Sequence, residues 1–308
     1  MEKHLYIIGN GFDRHHGIPS NYYDKGGGPC FRKWLDENEY EILCEIDDNF
    51  GRTDELWWTK FEESLASVET LRVAYEEAFE CYPNFGSDVF HDRDWYDAEL
   101  SVENRLNIVY FDIVSAFRKW INQLPLGNPM KKIRIEKSDS IFLSFNYTDT
   151  LESLYEVPSS NILYIHGKAN SDDELILGHG LTYQDLQRVL EQYETVESGD
   201  YVYQRAKDAA LNSVSSHRKK TEAIIRENKE WFNGLFDVTN IHIYGHSLNC
   251  IDMPYYRMLF EMIDRKKIMI EMSCFKEEDC ENAKKLMNVE GFSRSQYKLI
   301  ELKDIQIV

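Results

Sequence analysis

Four short runs constrain the fold most: "LYIIG" (Leu5 to Gly9), "SIFLSF" (Ser140 to Phe145), "NIHIYG" (Asn240 to Gly245) and "KIMIEMS" (Lys267 to Ser273). Each is apolar almost without a break and rich in β-branched or aromatic residues. A strand with one wet face alternates apolar and polar residues; near-continuity requires cover on both faces, the condition of a parallel strand between layers of helices. Weaker strand candidates are "NILYIHG" (Asn161 to Gly167), "ELILGHG" (Glu174 to Gly180) and "YKLIEL" (Tyr297 to Leu302).

The first two strands are separated by about 130 residues with helical periodicity. In "ELWWTKFEESLASVETLRVAYEEAF" (Glu55 to Phe79), Trp58, Phe61, Leu65, Val68 and Leu71 fall near one helical face. A further helix is predicted over Ser101 to Leu124, where "PLGNP" breaks it. A second helical stretch covers about 183–236, and helices over roughly Pro254 to Asp264 and Lys276 to Met287 alternate with strands in the βαβ manner. The expectation is one parallel α/β domain over residues 1–308, carrying helical inserts at about 30–135 and 183–236.

With 35 Lys+Arg against 54 Asp+Glu, the net charge of -19 repels phosphate backbones and anionic membrane surfaces, so neither nucleic acid nor membrane is expected as a partner. The N-terminal "LYII" is too short for a signal peptide and no apolar run reaches membrane-spanning length, so a cytoplasmic location is expected. The six cysteines include no C-x-x-C pair, which leaves no zinc knuckle or redox motif.

Ligands of parallel α/β sheets sit at the carboxyl ends of strands, and here those ends carry polar turns. After the first strand, Gly9-Asn10-Gly11 lets a pyrophosphate approach backbone N–H groups. The dehydrogenase fingerprint G-x-G-x-x-G needs glycine where Arg14 stands, and no P-loop occurs. The other turns are "FNYTDTLE" (Phe145 to Glu152), "IHGK" (Ile165 to Lys168) and "YGHSLNCIDMPYY" (Tyr244 to Tyr256). Taken singly, Asn146 also reads as a helix cap, Asp149 as a first-turn acid and His166 as a core histidine.

In order, "IIGNGFD...GIPSNY", "SFNYTDTLE", "YIHG" and "IYGHSL" resemble the sirtuin-like NAD-binding superfamily, and most closely the AbiH family of bacterial phage-abortive-infection proteins. Sirtuin-like chains carry Gly-Ala-Gly-x-Ser followed at fixed distance by Gly-Ile-Pro, a spacing that Gly9 to Pro19 keeps; their Asn-Tyr-Asp, His-Gly and Gly-Thr-Ser-Leu turns are similar to the later three. The resemblance implies a sirtuin-like, Rossmann-type parallel sheet with large helical insertions. It also implies NAD as substrate, held around Gly9, Asn10, Gly11, Phe12 and Asp13, with Gly17, Ile18 and Pro19 over the nicotinamide side and Gly245, His246 and Ser247 in the ribose and phosphate wall.

Asn146 would then hold the attacking water and ribose, and His166 would act as general base. Asp149 and Asp13 are the candidate acids. Asp13 stands where the resembled family has serine, Thr148 where it has the acid and His246 where it has threonine. The missing four-cysteine module argues against deacetylation. The implied activity is NAD hydrolysis that depletes NAD in abortive infection, with no metal, a possible homo-oligomer and a phage-derived trigger. Two alternatives stay open: a non-catalytic NAD or ADP-ribose-type nucleotide sensor, and a metal-dependent nuclease built from Asp13, His15, His16, His166 and His246.

Overall fold

The computed structural model describes residues 2–305 apart from 52, 68, 85, 87–90 and 192–199. The chain forms two compact units, one of residues 1–21, 118–176 and 220–308, the other of residues 22–117 and 177–219.

The first unit is built on six parallel strands, β1 (His4–Ile8), β2 (Ser140–Ser144), β3 (Ile162–Tyr164), β4 (Asn240–Tyr244), β5 (Met269–Ser273) and β6 (Tyr297–Ile300). Their order across the sheet is β3-β2-β1-β4-β5-β6, a Rossmann-like α/β arrangement in which β1 lies between β2 and β4. Continuity of the apolar runs has the anticipated cause. In β1, Leu5 and Ile7 join a core with Leu143, Ile241, Ile243 and Ile270, while Tyr6 and Ile8 join another with Phe142 and Tyr244. Each fully buried aliphatic side chain contributes about 1.5–3 kcal/mol, so a strand with both faces covered is strongly specified.

Helices α1 (Asn10–His15), α8 (Thr150–Ser153), α11 (Thr221–Glu227), α12 (Lys229–Asn233), α13 (Met253–Met262) and α14 (Glu277–Val289) complete this unit, together with the end of α7 (Asp97–Gln123) after Phe117. Pro254 opens α13, where its missing N–H costs no helical bond. Asp279 accepts from the Phe275 and Lys276 N–H groups at 3.1 and 2.8 Å and so starts α14.

The second unit is helical. It holds α2 (Phe31–Asn38), α3 (Tyr40–Phe50), α4 (Glu55–Thr59), α5 (Phe61–Ser64), α6 (Thr70–Glu80), the first part of α7, α9 (Tyr183–Glu191) and α10 (Tyr201–Ser216). Small residues let α6 and α10 pack closely, Val73, Ala74 and Ala78 meeting Ala206, Ala209 and Ala210. A second contact set is aromatic: Trp58 stacks on Phe61 at 5.3 Å and Phe31 meets Phe61 edge-on at 5.6 Å. Asp200 caps α10 by accepting from Tyr203 N–H at 2.9 Å.

Two expectations need correction. The Glu55 to Phe79 stretch is not one helix but α4, α5 and most of α6, broken at Lys60 and again between Leu65 and Glu69; Val68, counted in the apolar face, lies outside the described residues. Glu174 to Gly180 forms no strand. Its backbone meets the rest of the sheet unit at the Ile176 N–H bond to His166 O, 3.0 Å, and Tyr147 Oη donates to Ile176 O at 2.9 Å. No described helix is long and apolar enough to cross a membrane.

Candidate functional site

Strand order reverses between β1 and β4, and the turns leaving these two strands meet there. Gly9 N–H bonds Tyr244 O at 3.0 Å and Gly11 N–H bonds Gly245 O at 2.7 Å. The glycines are required by this contact of main chain on main chain. A Cβ on Gly245 would lie 2.0 Å from Phe12 N, and Gly245 also has φ of 69°. The Gly9 and Gly11 N–H groups expected to face a pyrophosphate are therefore both taken by the chain's own backbone. Phe12 is likewise core, packed 4.4 Å from His16 and 5.6 Å from Tyr155. Asn10, Gly17 and Ser247 are exposed and Gly11, Pro19 and Gly245 half-buried. Asn10 Nδ2 donates to Ser20 O at 3.0 Å, tying α1 to the residue after Gly17-Ile18-Pro19.

Asp13 is buried on α1 and receives hydrogen bonds from Thr148 Oγ1 at 2.6 Å and Thr150 Oγ1 at 2.7 Å. Burial pushes its carboxyl up from 3.8 to about 6; hydrogen bonds from Thr148, Thr150 and Asn146 oppose that rise without cancelling it. All three partners are neutral, so none repays the lost hydration of a full charge. Asn146, buried just past β2, also donates from Nδ2 to Gly9 O at 3.1 Å. Asp149 accepts from Asn170 Nδ2 at 2.7 Å. Beside them a cleft of about 160 Å³ is lined by Ile18, Leu126, Tyr147, Asp149, Ser153 and Asn170, among others.

His166 follows β3 with its backbone carbonyl held by the Ile176 N–H. Its ring is buried, edge-on to Phe145 at 5.4 Å and stacked with Tyr147 at 6.2 Å. Asp252, immediately before α13, places Oδ1 3.8 Å from His166 Nε2 and Oδ2 3.4 Å from His246 Nε2. One carboxylate thus faces two imidazoles. His246 Nδ1 accepts from Leu248 N–H at 3.0 Å, which puts the proton of a neutral His246 on Nε2, toward Asp252. Leu248 reaches that position with φ of 56°, a left-handed conformation costing a residue with a Cβ about 1–2 kcal/mol.

The sequence reading missed Asp252. It lies inside a turn already singled out, but before Pro254 it reads as an ordinary helix-opening acid, and only the folded chain puts it between two histidines. His15 and His16 do not join them. His15 Nε2 lies 3.0 Å from Lys131 O; His16 bonds Phe12 O and the Tyr155 hydroxyl, each at 2.7 Å, and burial lowers its pKa to about 4. Among the described residues no group of three or more His, Cys, Asp or Glu side chains could hold a metal ion.

A family model described as bacteriophage abortive infection AbiH matches residues 5–274. Comparison with curated proteins and with solved structures gives no match.

Proposed function

The chain belongs to the AbiH family of bacteriophage abortive infection proteins, and from that premise we propose that its sheet unit is a sirtuin-like NAD hydrolase that acts by depleting NAD. The observation that carries this reading is the hydrogen bond from Thr148 to Asp13. Sirtuin-like motifs have serine at the first of these positions and the acid at the second; here the acid is at the first and a hydroxyl at the second, and the two side chains touch. An exchange that keeps a hydroxyl–carboxyl pair beside Asn146 supports a common site. Asp13 faces hydroxyls of its own chain, which keeps its carboxylate from being pressed against a phosphate.

In the proposed reaction the bond between the nicotinamide nitrogen and ribose C1′ breaks, its electron pair leaving with neutral nicotinamide. Water adds to the oxocarbenium-like C1′ and gives its proton to His166. Asn146 positions that water and the ribose. The Rossmann-like strand order supports a dinucleotide, and the cleft beside Asp149 is ring-sized: its 160 Å³ is below the roughly 300–1,000 Å³ of most ligand sites. The remainder of NAD would lie along the open rim at Asn10 and Ser247, both exposed. Purified protein incubated with NAD, in each oligomeric state it forms, should release nicotinamide. Measurable NAD binding with no release in any state would replace the hydrolase with a sensor.

A further inference from the structure

Two of the cysteines are brought to one place by the fold, although their spacing matches no redox motif. Cys274 is the first residue after β5 and Cys280 lies near the start of α14; only Cys274, Phe275 and Lys276 link the strand to the helix. Both cysteines line a cavity of about 400 Å³ at the carboxyl ends of β5 and β6, together with Phe275, Lys276 and Ile300. Cys274 N–H bonds Ile300 O at 2.8 Å, which fixes the end of the strand, and Asp279 accepts from the Phe275 and Lys276 N–H groups, which fixes the start of the helix. The Cys274 thiol interacts with that of Cys280 across this short link. We propose that Cys274 and Cys280 form a modification site, a dithiol that hydrogen peroxide converts to a disulfide. The inference goes beyond the hydrolase reading and does not depend on it.

Exposure assigns the two roles. Cys280 is half-buried and open to a small oxidant, whereas Cys274 is buried, and burial followed by the contact with Cys280 pushes its thiol well above the ordinary value. The Cys280 sulfur attacks one peroxide oxygen, the O–O bond breaks, and the departing hydroxide takes the thiol proton as water, leaving a sulfenic acid on Cys280. The Cys274 sulfur then attacks the Cys280 sulfur, the S–O bond breaks, and a second hydroxide leaves with the Cys274 proton. Two thiols have lost two electrons and two protons, and one peroxide has become two waters. Glu277, Glu278 and Asp279 in the first turn of α14 give no help to a nucleophilic sulfur, so the advantage of this site is the second thiol held beside the first. Among the described residues no third ligand joins the pair to hold a metal ion.

The test treats the folded, full-length chain with hydrogen peroxide, alkylates the remaining thiols and digests with trypsin, which cuts after Lys276 between the two cysteines. The peptides carrying Cys274 and Cys280 should stay joined until a reductant is added, with at least about tenfold more of this link than of any link through the exposed Cys250. With dimedone present, Cys274→Ser should accumulate a trapped sulfenic acid on Cys280, because no thiol resolves it, while Cys280→Ser should show at least about tenfold less on Cys274. Cys274→Ala repeats the first variant without a hydroxyl in the buried position. Oxidation of Cys250 without the Cys274–Cys280 link would overturn the proposal, and equal trapping on Cys274 in Cys280→Ser would overturn the assigned roles. Neither readout involves nicotinamide release, so failure of the hydrolase reading leaves the result unchanged.

Discussion

Asp13 and Glu271 are carboxyls enclosed by the same sheet unit, and their surroundings drive them in opposite directions. Asp13 is buried on α1, bonded by Thr148 and Thr150, and burial raises it to about 6. Glu271 lies within β5. Burial alone would raise it too, but hydrogen bonds from His242, Lys298 and Tyr244 take it down to about 2. His242 Nδ1 lies 3.3 Å away, Lys298 pairs with the other oxygen, and His242 itself stacks on Tyr6 at 4.3 Å. Burial is common to both; what differs is whether a cation accompanies the carboxylate. Glu271 has the character of a structural anion, whereas Asp13 is left able to change charge near neutrality, as catalytic groups do.

The contrast makes predictions that can break it. The largest effect concerns activity: His166→Ala or Asn146→Ala should lower nicotinamide release at least about 100-fold, while Glu271→Gln leaves it within about threefold. Equal losses in folded proteins would end the division between a reacting cluster and a structural one.

Next comes Asp13→Asn. Asp13's folded value lies above its unfolded one, so its support for the fold is complete below about pH 4 and is lost as pH rises through about 6. Above that pH the charged form costs about 3 kcal/mol. Denaturation midpoints should therefore favour Asp13→Asn increasingly from pH 4 to 8; a pH-independent difference would refute the raised value.

Glu271→Gln should show the opposite sign. A depressed carboxyl supports the fold above its unfolded value and loses that support as pH falls from 4.5 through about 2. At pH 7 the variant should be destabilised by about 2 kcal/mol, moderated because Lys298 is largely exposed and can rehydrate. This gap should close toward pH 2.

The smallest change is Thr148→Val. Loss of one hydroxyl donor should cost about 1 kcal/mol at pH 7 and move the Asp13 titration, followed by its ¹³C carboxyl shift, further upward. An unmoved titration would show that the Thr148 bond does not hold the charged form.

Much of this sheet was legible before folding, for a local reason. Unbroken apolar runs can be satisfied only by cover on both faces, and all four strong runs are parallel strands whose limits differ by a residue or two from those read. Glu174 to Gly180 has a similar run, yet its backbone takes a single bond to His166 O and not a ladder. The Glu55 to Phe79 breaks were also hidden, because helical periodicity persists across them.

The candidate site divides the same way. The amino-acid sequence by itself determined the α/β class, the polar turns at the strand ends, the family, and the positions where its motif residues differ from the sirtuin-like pattern. Only the tertiary structure decided the strand order, the Gly245 backbone filling the glycine turn, the contact of Asp13 with Thr148 and the place of Asp252 between His166 and His246. Each is a contact between residues far apart in the chain, such as Gly11 with Gly245 or Asp13 with Thr148, and local spacing holds no record of it. A residue type states what a side chain can donate or accept, and the folded chain supplies the partner.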